Sequence, residues 1–136
     1  MNLRKLEERD LEAVRRLRNS NRSAFFDQRE ITAEQQRRWF AGLPAKPVKF
    51  YVLEVGQQII GTVSLTSCDE GIEVGNITLD DNYRGHGHMT SAIGQLMKEK
   101  GRYFAKILAE NTASQRLFAR SGFAETYRTF ECTVED

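Results

Sequence analysis

A glycine-rich turn between a predicted strand and a predicted helix is the segment of this sequence best suited to bind an anion. The turn is Arg84-Gly85-His86-Gly87, and the segment after it, up to Lys100, has apolar residues at helical spacing. A helix N-terminus carries unpaired main-chain N–H groups and the positive end of the helix dipole, and glycines let the chain approach a ligand closely. The turn therefore suits a pyrophosphate, to which Arg84 adds a positive charge; the alternative is a tight turn that binds no ligand.

Two better-known phosphate-binding loops do not fit this turn. A Walker A loop would end in Gly-Lys-Ser or Gly-Lys-Thr, which is absent here. A dinucleotide fingerprint would need a third glycine and a βαβ arrangement, whereas the strands before the turn are predicted to form a meander of hairpins. His86 and His88 alternate within the turn without a third ligand at a suitable spacing, so no metal site is predicted.

The strand that leads into the turn carries an irregular pattern. Ile72 and Val74 occupy even positions, whereas Ile77 and Leu79 occupy odd positions. Because side chains alternate with a period of two, these four share one face only if an extra residue lies between them. Gly75-Asn76 suits such a β-bulge, since both residues tolerate unusual backbone angles. The alternative is a strand that is buried on both faces and has no bulge.

Two further strands and two helices are predicted before this strand. Strands span 48–55 and 58–66, and the first alternates apolar residues on both faces. After a short edge strand at the N-terminus, Asp10 is placed to cap a helix with apolar residues at 11, 14 and 17. Thr32 and Gln35 have the spacing of a capping box for the second helix.

The last third of the chain is predicted as strand, helix and strand. A strand spans 103–108, and Thr112 with Gln115 has the spacing of another capping box. Gly122 followed by an apolar residue is a typical helix stop, and 123–134 is predicted as a final strand or hairpin. The element order predicts a mixed α/β fold around one sheet, in a single domain over residues 1–136.

Composition narrows the class of partner. The chain has 136 residues and a net charge of +1, with basic and acidic side chains interspersed. This balance gives no reason to expect a nucleic acid or a membrane surface as partner. No apolar run is as long as a membrane span, and Cys68 and Cys132 lack metal-ligand or redox spacing. We therefore expect a cytoplasmic protein with free thiols.

Two segments together resemble the GNAT superfamily of N-acetyltransferases. Residues 72–97 resemble its acetyl-CoA motif, Arg/Gln-x-x-Gly-x-Gly/Ala after a bulged strand: Arg84 and Gly87 match, and Met89 stands where Gly or Ala is usual. Residues 111–123 resemble the downstream helix motif, and the stretch 17–40 is loosely similar to the ribosomal-protein and amino-sugar acetyltransferases. The resemblance implies a GNAT-like domain whose mixed central sheet has a bulged, splayed middle strand and flanking helices.

The same resemblance implies that acetyl-CoA is the cosubstrate and assigns residues to it. The main-chain amides that would bind its pyrophosphate belong to Gly85, His86, Gly87, His88, Met89 and Thr90. The main chain of Ile77, Thr78 and Leu79 would pair with the pantetheine arm, and one of these amides would stabilise the oxyanion. Asn111, Ser114 and Phe118 would lie beside the pantetheine and the thiol.

The resemblance also implies catalytic and acceptor residues. Glu73 matches a position that often carries the base; its alternative role is an outward-facing strand carboxylate. The position of the usual tyrosine acid is Phe118, which cannot donate a proton, so Ser114 or water is the expected donor. Ser114 is otherwise a polar residue of a first helical turn. Phe25 and Phe26 are expected either to wall the acceptor pocket, to which Glu73 would contribute, or to pack in the core.

The implied reaction is direct attack of a primary amine on the thioester in a ternary complex. The acceptor is expected to be a nucleotide-linked amino sugar or a peptide or protein amine. The alternative is a catalytically weak acyl-CoA-binding regulatory module, which Phe118 favours. The oligomeric state is left open, with a homodimer among the possibilities.

Overall fold

The computed structural model describes residues 1–136 as one five-stranded mixed sheet with helices on both faces. The strands lie in chain order across the sheet: β1 Asn2–Lys5, β2 Val48–Val55, β3 Gln58–Cys68, β4 Gly71–Leu79 and β5 Tyr103–Phe104. The first four strands pair antiparallel, and β5 pairs parallel with β4. The predicted mixed α/β fold is therefore confirmed.

Four helices cover the sheet, two on each face. They are α1 Leu11–Ser20, α2 Ala33–Gly42, α3 His88–Leu96 and α4 Thr112–Arg120. Short 3-10 turns span Glu8–Asp10, Arg22–Ala24, Leu43–Ala45 and Asp81–Tyr83. None of the helices combines the length and the apolar character needed to cross a bilayer.

Strand β2 divides the two halves of the core. Leu53 belongs to the larger apolar cluster, which includes Ile93 of α3 and Phe118 of α4. Phe50 and Val52 belong to a smaller cluster with Val14 of α1 and neighbouring α2 residues. Because consecutive side chains of a strand point to opposite faces, β2 is buried on both sides, as its apolar pattern predicted.

The predicted bulge in β4 is present. Ser64 of β3 pairs with Gly75, but Thr62 pairs with Thr78, so β4 carries one residue more than β3 across this interval. Asn76 has a φ of 50°, in the left-handed region. As a result Val74, Ile77 and Leu79 all pack on the α3–α4 side of the sheet. The alternative of a regular strand without a bulge is wrong.

Three buried hydroxyl groups hold this bulge in place. The Thr62 hydroxyl donates to the main-chain oxygen of Asn76 at 2.7 Å and lies 2.7 Å from the Thr78 hydroxyl. Since Thr62 has one proton and donates it to a carbonyl, Thr78 must donate to Thr62. The Asn76 side chain donates to the Ser64 hydroxyl at 2.8 Å. We refer to Thr62, Ser64, Asn76 and Thr78 as the bulge clamp.

One predicted helix cap lies a turn earlier than expected. Asp10 stands at the N-cap position of α1, but its side chain makes no cap bond to that helix; it accepts hydrogen bonds from the Glu7 N–H at 2.8 Å and from both terminal nitrogens of Arg4. Burial alone would raise the pKa of Asp10, but the bonds from Arg4 and Glu7 outweigh it and leave that pKa below its ordinary value. Arg4 also bonds Glu54, which joins β1, β2 and the first 3-10 turn.

The other caps show one agreement and one shift. Thr32 and Gln35 form the predicted capping box at α2. At α4 the cap is Asn111, one residue before the predicted Thr112: its side chain accepts the Ser114 N–H at 3.1 Å, while the Gln115 side chain donates to the Ala109 carbonyl at 2.7 Å. The predicted helix stop is present: Gly122 has a φ of 92°, and the next N–H, of Phe123, donates to the Phe118 carbonyl.

The last two predicted strands are not formed as expected. Strand β5 ends at Phe104 instead of residue 108, and residues 123–134 have no regular secondary structure. Tyr127, Phe130 and Val134 of this segment are exposed. A segment forms a strand only where it can pair with a neighbouring strand edge and pack on an apolar face. Residues 123–134 have neither.

The clamp predicts a specific loss of stability on Thr62→Val substitution. This change removes the bond to the Asn76 carbonyl and leaves the buried Thr78 hydroxyl without its partner, so we expect the free energy of unfolding to fall by about 1–3 kcal/mol. Thr66→Val is the matched control, since Thr66 lies on the same face of β3 and its side chain makes no hydrogen bond. Urea unfolding of both variants measures the difference; equal losses would contradict the role of the clamp.

Candidate functional site

The turn before α3 presents a run of free main-chain N–H groups. No acceptor is present for any N–H group from Gly85 to Thr90, and the first bond at the helix start is from Ser91 to the Gly87 carbonyl. Gly85 and Gly87 have φ values of 80° and 77°, which turn successive N–H groups toward the same side. We call residues 85–90 the amide nest; together with the positive end of the helix dipole, it suits a phosphate oxyanion.

The side chains of the nest contribute less than its main chain. The Arg84 guanidinium is bound by Asp81 at 2.9 Å and by the Asn21 side chain at 2.8 Å, so its charge is partly neutralised and it anchors the turn to the end of α1. The Met89 side chain is 4% exposed and packs in the core. His86 and His88 have ring centres 6.1 Å apart.

A gap between β4 and β5 leads away from the nest. The two strands pair only at Ile72 with Tyr103 and at Glu73 with Phe104. The Asp80 N–H donates to the Ile60 carbonyl on β3, so by alternation the N–H groups of Ile77 and Leu79 point away from β3 and into the gap. We call this gap the β4–β5 split. Its free N–H groups can pair with an extended, amide-containing ligand.

Thr78 does not belong to the split, although the sequence placed it there. It pairs with Thr62 in the β3–β4 ladder, so its main-chain groups point toward β3. Its hydroxyl lies on the opposite face of the sheet from the apolar α3–α4 core and belongs to the bulge clamp. Thr78 therefore offers no main-chain group to the split, and its assignment to acetyl-CoA stays a prediction.

The N-terminus of α4 contributes Asn111 and Ser114. The Asn111 side chain accepts the N–H of Ser114 at 3.1 Å, while the Ser114 hydroxyl makes no hydrogen bond within the protein. Phe118, one turn later, is 5% exposed and packs edge-to-face on Phe123 with ring centres 4.9 Å apart. Phe118 is thus a core residue in this structure and offers almost no surface to a ligand.

A second site lies on the opposite face of the sheet. A cavity of about 410 Å³ opens between α1, α2, the chain that connects them and the middle of the sheet. Its lining includes Thr62, Asn76 and Thr78 of the bulge clamp and the aromatic rings of Phe25, Trp39 and Phe50. We call it the α1–α2 cavity. Its size falls within the range of small-molecule sites.

The structure separates the three residues predicted for the acceptor pocket. Phe25 lines the α1–α2 cavity and lies under the Arg18 guanidinium, 3.6 Å from its central carbon. Phe26 is 68% exposed and does not line the cavity. Glu73 does not line it either; it pairs with Thr66 three residues before Asn76 and makes no ion pair or hydrogen bond. At about 3.3 Å per residue, this places Glu73 about 10 Å along the strand from the bulge.

Several residues of this site were missed from the sequence. Thr62 and Ser64 are fully buried hydroxyls in a strand, and their spacing by two was the available signal, because buried hydroxyls need partners. Arg18 gave no such signal, since nothing in its helical spacing distinguishes it from the exposed arginines around it.

The acetyltransferase (GNAT) domain family matches residues 1–124 of the chain. Solved structures with this fold include a ribosomal-protein-alanine N-acetyltransferase from Brucella melitensis, with a TM-score of 0.81 and 23% identity over 93% of this chain and 86% of that one. A spermidine N-acetyltransferase from Vibrio cholerae, in complex with CoA and spermine, has a TM-score of 0.78 and 21% identity over 93% and 82%.

The alignment with a third structure covers almost the full length of both chains. An aminoglycoside antibiotic 6'-N-acetyltransferase from Acinetobacter haemolyticus has a TM-score of 0.71 and 17% identity over 99% of each chain. No curated protein sequence matches this chain. At these identities the solved structures establish the fold and leave the acceptor open.

Two glycine substitutions in the same helix test the geometry of the nest. Gly87→Ala places a side chain in a left-handed conformation and should lower the free energy of unfolding by about 1 kcal/mol. Gly94→Ala, in the exposed interior of α3 with open space around it, should raise it by about 0.5–1 kcal/mol. Thermal unfolding of both variants gives the signs; stabilisation by Gly87→Ala would show that the residue is not left-handed.

Proposed function

Because the chain belongs to the GNAT family of acetyltransferases, we propose that it transfers an acetyl group from acetyl-CoA to a primary amine by direct attack in a ternary complex. The observation that carries this proposal is the uninterrupted run of free N–H groups from Gly85 to Thr90, at the end of an open strand edge. The amide nest suits a pyrophosphate, and the free strand N–H groups beside it suit an extended chain that contains amides. A single ligand with both parts could bind across them.

The residues assigned to acetyl-CoA are mostly main-chain groups. The amide nest would bind the pyrophosphate, and the split beside Ile77 and Leu79 would pair with the pantetheine arm. Asn111 and Ser114 stand at the N-terminus of α4, where they would contact the thiol end. Bound acetyl-CoA supplies an acetyl group activated as a thioester.

The free N–H groups in the split also suit the negative charge that develops during transfer. When an amine attacks the thioester carbon, a C–N bond forms and the carbonyl oxygen becomes an oxyanion. The C–S bond then breaks and the thiolate leaves. A fixed N–H donor from Ile77 or Leu79 would stabilise this oxygen without needing to reorganise, because the β3–β4 ladder holds the strand.

The amine must lose a proton before or during the attack. An alkylammonium with a pKa near 10.4 is neutral in only about one molecule in a thousand at pH 7. We propose that Glu73 accepts this proton through a water molecule between its carboxylate and the amine. This carboxylate has no hydrogen-bond or ion-pair partner and lies upstream of the bulge on β4.

The leaving thiolate needs little help. A thiol has a pKa near 8.5, so the thiolate is a good leaving group and can be protonated by water or by a nearby hydroxyl. Ser114 is the hydroxyl we assign to this step, because it makes no other hydrogen bond and Phe118 has no proton to give.

The α1–α2 cavity is the proposed acceptor site, because the bulge joins its floor to the split. A peptide or protein amine and the amine of a nucleotide-linked sugar are the acceptors we propose. The separation of Glu73 from the cavity lining favours one second candidate, a catalytically weak module that binds acyl-CoA for a regulatory purpose.

Glu73→Gln tests both candidates in an assay of CoA release with a panel of amines. The panel contains a nucleotide-linked amino sugar, peptides with free N-termini, polyamines and amino acids. We expect turnover with one class and a fall of about 10²–10⁴ in kcat/KM for Glu73→Gln, because the base is lost. CoA is best followed by chromatography, since the exposed Cys68 and Cys132 would react with a thiol reagent.

Glu99→Gln is the matched control, because this exposed carboxylate makes no side-chain hydrogen bond or ion pair. Unchanged affinity for acetyl-CoA in Glu73→Gln would separate catalysis from binding. Binding of acetyl-CoA without turnover on any amine would support the regulatory module, and absence of binding would overturn both candidates.

Ser114→Ala tests the proton donor separately. If its hydroxyl protonates the thiolate, kcat should fall by about tenfold with little change in KM, the pattern expected when a group acts only in the transition state. Ser121→Ala, in the last turn of the same helix region, is the control for a general effect on α4. A kcat for Ser114→Ala equal to that of the parent would assign the proton to water.

A further inference from the structure

The charges that line the α1–α2 cavity are paired with one exception. The charged lining residues are Arg15, Arg18, Asp27, Arg29 and Glu30. Arg15 is bound by Glu12 at 2.8 Å, Arg29 by Asp27 at 2.8 Å, and Glu30 lies 3.9 Å from Arg22. Arg18 has no carboxylate within ion-pair distance. The cavity therefore has one lining charge outside an ion pair, and that charge is positive.

Arg18 is also the one residue whose side chain has a buried donor without a hydrogen-bond partner. Its Nη2 donates to the Asp27 main-chain oxygen, and its guanidinium stacks on Phe25 at 3.6 Å. Its Nη1 is buried and donates no hydrogen bond. Burial lowers the pKa of Arg18, but an arginine remains protonated in proteins at neutral pH, so both the charge and the free donor persist.

We propose that the acceptor amine also carries a carboxylate or phosphate group, and that Arg18 binds this group in the α1–α2 cavity. The inference rests on the proposed function and names the chemistry of its acceptor. An oxyanion would supply both groups that the guanidinium lacks, a counter-charge and an acceptor for Nη1.

The same charges disfavour a polycationic acceptor. A polyamine places a second ammonium in the cavity, where both carboxylates that line it already face an arginine. Arg18 would repel that ammonium, and no unpaired carboxylate is available to bind it. An amine with one anionic group avoids this repulsion and fits a cavity of small-molecule size.

Matched acceptor pairs that differ only in the anion provide the test. One pair is glucosamine 6-phosphate and glucosamine; the other is alanyl-alanine and its C-terminal amide. We expect the anionic member of at least one pair to have a kcat/KM higher by about tenfold or more, mainly through KM, as for a hydrogen bond to a charged group. The pair that shows the preference identifies the anion as phosphate or carboxylate.

Arg18→Gln should abolish this preference, and Arg16→Gln, an exposed position on the same helix, should keep it. Acetyl-CoA affinity and thermal unfolding of Arg18→Gln verify that the variant is folded. If it is not, Arg18→Lys replaces it, since lysine keeps the charge but loses the planar fork, and should reduce the preference.

Three results would count against the proposal in different ways. Equal kcat/KM for both members of both pairs in the parent protein overturns the anionic acceptor while acetyl transfer to amines stands. A preference that persists unchanged in Arg18→Gln overturns the role of Arg18. Binding of acetyl-CoA without turnover on any amine overturns the proposed function itself, and the inference falls with it.

Discussion

The left-handed conformation of Asn76 is the constraint on which both halves of the site depend. A β-bulge at this point inserts one residue into β4 and shifts the alternation of every residue after it. Ile77 and Leu79 can then point their side chains into the α3–α4 core while their N–H groups point into the β4–β5 split. Without the extra residue, the strand could not bury Val74, Ile77 and Leu79 on one face and also leave N–H groups free along its edge.

The cost of that conformation is met by polar groups inside the sheet. A non-glycine residue at positive φ is disfavoured, and Asn is among the residues that tolerate it best. Here the Asn76 carbonyl and side-chain amide are bonded by Thr62 and Ser64, whose hydroxyls have almost no exposure to solvent. A buried hydroxyl without a partner is unfavourable, so the clamp and the bulge require each other. The same groups form the floor of the α1–α2 cavity, which ties its position to the bulge.

The sequence predicted those features that are encoded locally. The change of parity between Val74 and Ile77 located the bulge, and Gly85 and Gly87 located the nest, because each depends on residues that are neighbours in the chain.

The errors arose where a distant group competes. Asp10 was expected to cap α1 but is bound by Arg4 of β1, and β5 was expected to continue past Phe104 but has no β4 partner there. Residues 123–134, predicted as a strand or hairpin, lack a neighbouring edge for the same reason: pairing is a property of the folded sheet.

The two halves of the site use different kinds of chemical groups, and this has a consequence for specificity. The nest and the split are built from main-chain N–H groups, which most side-chain substitutions leave in place. The α1–α2 cavity is built from side chains, many of them in the irregular connection between α1 and α2, where backbone constraints are weakest. Substitution in this connection can therefore change the charge and shape of the proposed acceptor site without disturbing the strand proposed to hold the donor. In this chain the connection contributes the ring under Arg18 and the carbonyl that binds its Nη2, so the one lining charge outside an ion pair is positioned by the irregular wall of the cavity.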